Sequence, residues 1–199
     1  MSWTALVPFK PAGERKTRLA DTLSAEERDN LAEQLFAHVL AVLGDVPRLT
    51  SVMVLSQVRP SHWPGPWRAD SGLGLNRELQ AARVGVAGPV MVLHSDLPLL
   101  AIADVTRLID SAERGGLAIA PDRHGSGTNA IAIADQRVFD FTFGVDSYRL
   151  HRRQAGPGWR FVAVPGLAID IDTPEDLALA VGRGFCPAFR QATAGVSRL

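Results

Sequence analysis

The sequence predicts an α/β fold: a mainly parallel sheet with helices on both faces, formed as a single domain over residues 1–199. Three observations carry this. Apolar runs of strand length alternate with helical stretches through most of the chain, the pattern of a parallel sheet covered on both sides. The composition, 46% hydrophobic over 199 residues, supports one sizeable core. No repeat, low-complexity tract or linker divides the chain. In such sheets ligands bind beyond the carboxyl ends of the strands, so the loops that follow strands are where chemistry is sought.

"TALVPF" is a short apolar strand that runs into the basic loop of "VPFKPAGERKTRLA", residues 7–20. Ser24 and Glu27 form a capping box ahead of "RDNLAEQLFAHVLAVLG", where Leu31, Leu35, Val39, Val42 and Leu43 recur at helical spacing and Gly44 ends the helix. "LTSVMVLS" is a second strand. The Pro- and Gly-rich "RPSHWPGPWRADSGLGLN" is a long loop, and "LNRELQAARVGV" a helix. "PVMVLHSDLP" is a third buried strand, cut off at Pro98; "ADVTRLIDSAERGG" is helical and stops at a glycine pair. "LAIAPD" and "NAIAIA" are strands joined by "RHGSGT", and "SYRLHRRQAG" is a short basic helix. "RFVAVPG" and "LAIDID" read as two further strands, "TPEDLALAVGRG" as the last helix, and residues 185–199 as a poorly patterned tail.

Composition excludes several classes of function. Formal net charge is zero, so nothing global draws the chain to nucleic acid or to a membrane surface. One cysteine, Cys186, rules out an internal disulfide framework and fits a reducing cytoplasm. The start "MSWTALVPF" lacks the basic lead of a signal peptide, and no run approaches the ~20 apolar residues of a membrane helix. A cytoplasmic protein is expected. The histidines His38, His62, His94, His124 and His151 show no metal-ligand spacing, and no Ser–His–Asp set is readable.

Five local features could carry chemistry. The basic loop sets four cations, Lys10, Arg15, Lys16 and Arg18, against one anion, Glu14, at the carboxyl end of the first strand. "GERKT" is not a phosphate-binding P-loop, because Arg15 rather than glycine precedes Lys16. What remains is a turn presenting cations, able to hold a triphosphate by side-chain charge, or a merely solvated basic loop. Asp96 ends a buried strand before Pro98, placed either to cap a turn or to hold a cation. In "LAIDIDTPEDL", strand alternation puts Asp170 and Asp172 on one face; paired carboxylates repel unless a proton or metal joins them, and hard oxygen ligands suit magnesium. Thr173 then reads as an N-cap and Pro174 as the first helical residue, with Glu175 and Asp176 complementing the helix dipole. In "SGLGLNREL", Gly72 and Gly74 let the backbone approach a flat ligand, and Asn76 can pair with a base edge or cap the helix. Last, "DRHGSGTNA" offers an open loop with the hydroxyl of Thr128. "FGVDSYRLH" leads from Gly144, Asp146 and Ser147 into a helix N-terminus, which favours anions. Arg152 and Arg153 on that helix read as a solvated face.

Taken together, "VPFKPAGERKTRLA", "GLNREL", "SDLPLL", "APDRHGSGTNA", "FGVDSYRLH" and "IDIDTPEDL" resemble, in order and over residues 4–180, the guanylyltransferases of deazaflavin coenzyme (factor 420) biosynthesis. The resemblance implies a Rossmann-like nucleotidyltransferase fold of the nucleotide-diphospho-sugar transferase type. It implies transfer of GMP from GTP to a phosphorylated three-carbon acid (2-phospho-L-lactate, phosphoenolpyruvate or 3-phospho-D-glycerate) with release of pyrophosphate. Carried onto this chain, Asp96, Asp170 and Asp172 match the metal cluster, holding Mg2+ or Mn2+, and Thr128, Gly144 and Ser147 match the acceptor site. Lys16 and Arg18 would serve catalysis; Lys10, Arg15, Gly72, Gly74 and Asn76 would bind GTP. A homodimer is compatible with this reading. One departure stands out: the family usually has a small residue where this chain has Asp146. That acid either turns outward, or pairs with Arg149 or a metal, or bonds a hydroxyl, which would favour 3-phospho-D-glycerate. Two rival readings are a nucleotidyltransferase with a larger acceptor, such as a molybdenum-cofactor guanylyltransferase, and a nonenzymatic nucleotide-binding regulator.

Overall fold

A computed structural model describes residues 1–189; the end of the poorly patterned tail, 190–199, lies outside the described residues. Seven strands form one sheet: β1 (Trp3–Pro8), β2 (Leu49–Ser56), β3 (Trp67–Ala69), β4 (Val90–Leu93), β5 (Leu117–Pro121), β6 (Thr128–Ile133) and β7 (Arg160–Phe161). Their order is β3-β2-β1-β4-β6-β5-β7. Every pair is parallel except the two that β6 makes, with β4 and with β5. The helices are α1 (Ala25–Gly44), α2 (Leu75–Val84), α3 (Ile102–Gly115), α4 (Ser147–Gln154), α5 (Pro165–Ala168) and α6 (Pro174–Gly182).

Strand alternation divides the core. Ala5 and Val7 of β1 join one cluster with Phe36, Val39 and Leu43 of α1 and Val105, Leu108 and Ile109 of α3. Leu6 joins the opposite cluster, with Leu79 and Ala82 of α2 and with Phe139, Phe141 and Phe143. A third cluster lies at one end: Leu19 at the end of the basic loop and Leu23 just after it, Leu31 and Leu35 of α1, Ile169, Ile171, and Leu177 and Ala180 of α6. Fully burying one such side chain is worth roughly 1.5–3 kcal/mol, so this cluster fixes the basic loop against the segment that carries Asp170 and Asp172.

The capping box of α1 is present, with Glu27 N donating to Ser24 Oγ at 3.2 Å and Ser24 N to the Glu27 carboxylate at 2.8 Å. Thr173 caps α6 as expected, and Pro174 is its first residue. Three expectations need correction. The long loop before α2 contains a three-residue edge strand, β3. "RFVAVPG" supplies only the two residues of β7. "LAIDID" is not a strand: Pro165 opens the helical turn α5, and residues 169–172 run extended without joining the sheet. Their alternation survives, because Ile169 and Ile171 are buried in the third cluster while Asp170 and Asp172, each following one of them, are only half-buried. Asp96 was expected to end the third strand but lies three residues beyond β4, which stops at Leu93; Ile171 N donates to Asp96 O at 3.2 Å, tying the 169–172 segment to this loop.

Candidate active site

The basic loop leaves β1 at Pro8, and its cations have different fates. Phe9 stacks on Phe36 of α1, ring centroids 3.9 Å apart. The Arg15 guanidinium lies 4.0 Å from the Phe9 ring centroid, donates to Lys10 O at 2.7 Å and pairs with Glu33 at 2.6 Å. Arg15 therefore fastens the loop to α1, instead of projecting toward a triphosphate as the sequence reading had it. Lys10 is exposed. Lys16 takes a left-handed backbone (φ 50°), uncommon for a residue with a Cβ and a frequent mark of functional sites. Its Nζ reaches Asp96 Oδ2 at 2.6 Å and Asp172 Oδ1 at 3.5 Å. Arg18, 73% exposed, approaches the other Asp172 oxygen at 3.4 Å.

Asp96, Asp170 and Asp172 converge: one carboxylate oxygen from each lies within 4.8 Å of the others, close enough to share a cation. Asp96 is reached from β4, the other two from the extended segment after α5. Asp170 accepts from Asn129 Nδ2 at 3.2 Å, and that amide also donates to Leu167 O at 3.0 Å. Asp172 N donates to the Asp176 carboxylate at 3.2 Å, and Asp176 pairs with Arg123 at 2.7 Å, a structural role. Burial and then the neighbouring Asp96 and Asp172 push Asp170 up to about 7. Burial would raise Asp96 too, but Lys16 and His94 outweigh it and hold its carboxyl below the usual range. Burial opposes the charge on Lys16, yet Asp96 and Asp172 prevail and raise it. One buried lysine thus compensates part of a threefold acid cluster, and the remaining repulsion raises the affinity of Asp170 for a proton. Two buried atoms here, Asp96 Oδ1 and His94 Nε2, have no hydrogen-bond partner among the described residues, as expected where a ligand completes the bonding.

The glycine-rich turn precedes α2. Gly74 is its N-cap with φ 91°, a conformation a side chain would strain, and a Cβ at Gly72 or Gly74 would meet nothing within 4 Å. The turn therefore faces open space. Glu78, 4% exposed, holds it from behind, accepting from Ser71 N at 2.9 Å, from the Ser71 hydroxyl and from Leu73 N. Asn76 does not cap α2, whose N-cap is Gly74. Its Nδ2 donates to Phe143 O at 3.0 Å, and its Oδ1 accepts from Phe143 N at 2.7 Å. Through these two bonds the amide bridges the glycine-rich turn to the loop that carries Gly144.

That loop places Gly144 in the open with φ 121°, whereas Thr128 and Ser147 are 2% and 1% exposed. Asp146 turns outward: its side chain is 54% exposed and pairs with Arg149 at 3.1 Å. In this arrangement Asp146 gives no preference for a hydroxyl-bearing acceptor. Phe143 links this loop to the acid cluster through its ring contact with His94, centroids 5.1 Å apart.

A β-bulge organises the two halves. Ala120 pairs with Ala130, but Pro121 pairs with Thr128, so Asn129 faces no residue of β5. The extra residue reverses the alternation at the start of β6. Asn129 reaches Asp170, while the adjacent Thr128 reaches His151 of α4, Oγ1 to Nδ1, at 3.0 Å. Asn129, His151, Glu78 and His94 were not singled out by sequence reasoning. The polar pair Thr128-Asn129 opening an otherwise apolar strand was the only local sign of the first.

Fold and site define the class: this is a nucleotidyltransferase. A protein from Desulfovibrio desulfuricans assigned as a nucleotide-diphospho-sugar transferase superposes with TM-score 0.72, at 18% identity, over 96% of this chain and 91% of that one. A nucleotidyl transferase from Methanothermobacter does so with TM-score 0.61, at 13% identity, over 91% and 97%. A Mycobacterium tuberculosis protein solved in complex with manganese gives TM-score 0.56, at 17% identity, over 92% and 99%. Sequence narrows the class further. The family model "Guanylyl transferase CofC like" matches residues 3–184, and the chain belongs to that family. Similar curated proteins include the phosphoenolpyruvate guanylyltransferases of Sphaerobacter thermophilus and Rubrobacter xylanophilus. The first is 34% identical over 196 residues, 92% of this chain and 94% of that protein; the second is 34% identical over 192 residues, 89% and 93%. The protein is a guanylyltransferase. Among the described residues no helix is long and apolar enough to cross a membrane.

Proposed function

We propose that the enzyme moves GMP from GTP onto the phosphate of a small phosphorylated three-carbon acid, with phosphoenolpyruvate the first candidate, and that Asp96, Asp170 and Asp172 hold Mg2+ or Mn2+ for this reaction. The observation that carries the reading is the convergence of three carboxylates, two of them in contact with Lys16. The names of the relatives favour phosphoenolpyruvate. The manganese in a neighbour of the same fold and Asp96 Oδ1, without a hydrogen-bond partner among the described residues, both favour a divalent ion.

An acceptor phosphate oxygen attacks the α-phosphorus of GTP, the bond from that phosphorus to the bridging oxygen of the β-phosphate breaks, and pyrophosphate leaves with the electron pair. The nucleophile is already anionic at neutral pH, so no general base is needed. A metal ion at the acid cluster would neutralise charge on the two reacting phosphates. Lys16 and the exposed Arg18 add positive charge beside it, where the leaving pyrophosphate gathers electrons. The turn at Gly72 and Gly74 offers open backbone to the nucleotide, and the Gly144–Ser147 loop with the N-terminus of α4 receives the acid.

The test is pyrophosphate release from GTP with phosphoenolpyruvate, 2-phospho-L-lactate and 3-phospho-D-glycerate, with and without divalent metal. Release with at least one acid, dependent on metal, is expected. No release with any of them would remove the acceptor class, and unchanged rates in chelator would remove the metal.

A further inference from the structure

His151 is a buried group that the reaction just described leaves unused. It is 0% exposed, stacked near Phe139 and edge-on to Phe143, with ring centroids 5.6 and 4.9 Å away. Its two nitrogens have distinct partners. Thr142 N donates to Nε2 at 2.9 Å. A ring nitrogen that accepts a hydrogen bond carries no proton, so in the neutral ring the proton is on Nδ1. Nδ1 lies 3.0 Å from Thr128 Oγ1, and the bond between them therefore runs from imidazole to hydroxyl. Burial, with a smaller contribution from His94, lowers His151 to about 4, so the ring is neutral at pH 7.

The direction of that bond decides what Thr128 can do. A hydroxyl that accepts from an imidazole keeps its own proton to give. Among the described residues the Thr128 hydroxyl has no other hydrogen-bond partner. We propose that His151 is a positioning residue: it fixes Thr128 as a hydrogen-bond donor to an anionic oxygen of the acceptor acid. This rests on the acceptor class proposed above. An imidazole with the opposite tautomer would accept a hydrogen bond from the threonine hydroxyl and leave Thr128 only lone pairs for the ligand, which repel an anion. The bulge at Asn129 brings Thr128 to the histidine, and Phe143, in contact with the His151 ring, is also the residue held by Asn76.

Two measurements on the whole protein test this. Nitrogen NMR of histidine-labelled wild type at pH 7 should show His151 as the neutral Nδ1–H tautomer; the Nε2–H tautomer would overturn the proposal. Kinetics supply the second. Thr128→Val and His151→Gln should each raise the acceptor KM by about 10- to 100-fold, the effect of losing a hydrogen bond to a charged group, with the GTP KM little changed. Glutamine can still accept from Thr142 N but loses the donor at the Nδ1 position. His151→Asn keeps a donor there and should recover much of the acceptor KM, although both variants lose the ring and should melt at similar temperatures. The double variant Thr128→Val with His151→Gln should be no worse than Thr128→Val alone. Additive losses, or equal damage to the KM of GTP and acceptor, would make His151 a packing residue and overturn the proposal. If wild type uses none of the three acids, the acceptor reading has failed separately, and the tautomer alone decides whether His151 makes Thr128 a donor.

Discussion

Lys16 Nζ lies 2.6 Å from Asp96 Oδ2, joining residues 80 apart in sequence, and this pair is the centre of the site. It answers why the first strand runs into a cluster of cations: one of them is buried against acids that would otherwise repel each other. Removing one partner of a buried ion pair leaves the other uncompensated.

Lys16→Ala should therefore act twice. Turnover should fall by roughly two to four orders of magnitude, the range for losing one group that stabilises developing negative charge. In chelator the variant should also unfold more easily, by roughly 3 kcal/mol. Manganese should narrow that gap by supplying the missing positive charge. Denaturant titrations with and without metal would check it, with Arg153→Ala as an unaffected control.

Asp170 predicts a pH dependence. Its ordinary value is 3.8 and its folded value about 7, so between them the native state binds more protons than the unfolded chain. The metal-free protein should hold this contribution fully below about pH 4 and lose it as pH rises through 7. Asp170→Asn should flatten the profile. The same proton competes with a cation, so metal affinity should weaken as pH falls below 7. Melting curves in chelator and metal titrations across pH 5–9 would show both slopes.

Asn76 should matter to both substrates. Its amide pins the loop at Phe143 to the glycine-rich turn, so Asn76→Ala should raise the KM of GTP and of the acceptor together, each by about tenfold for the net loss of one to two hydrogen bonds. A rise confined to GTP, with relaxed discrimination against ATP, would support the base-reading role.

Glu78 should matter to the nucleotide alone. It gathers three donors from Ser71 and Leu73, and without it the turn at Gly72 and Gly74 loses its support. Glu78→Ala should raise the KM of GTP several-fold and leave the acceptor KM near wild type, as steady-state kinetics with each substrate varied would show.

The fold was legible because its signals are local. Apolar runs, the Ser24–Glu27 capping box and the Thr173–Pro174 helix start each depend on a few neighbouring residues, and together they predict a parallel sheet between helices. The pairing of Asp170 with Asp172 was also legible, for a reason that outlived the wrong element: period-two alternation belongs to any extended chain, whether or not it joins a sheet. Ordered motifs were enough to name the family.

Tertiary structure decided what depends on distance in space. Lys16 and Arg15 are adjacent and alike in charge, yet one enters the acid cluster and the other lies on Phe9 beside Glu33; only the packing of α1 separates them. Asn76 carries the same amide whether it meets a base or Phe143, and its partner comes from 67 residues away. The bulge that sends Thr128 to His151 and Asn129 to Asp170 is a mismatch between two strands. A register exists only once both strands are paired, so neither strand's sequence contains it.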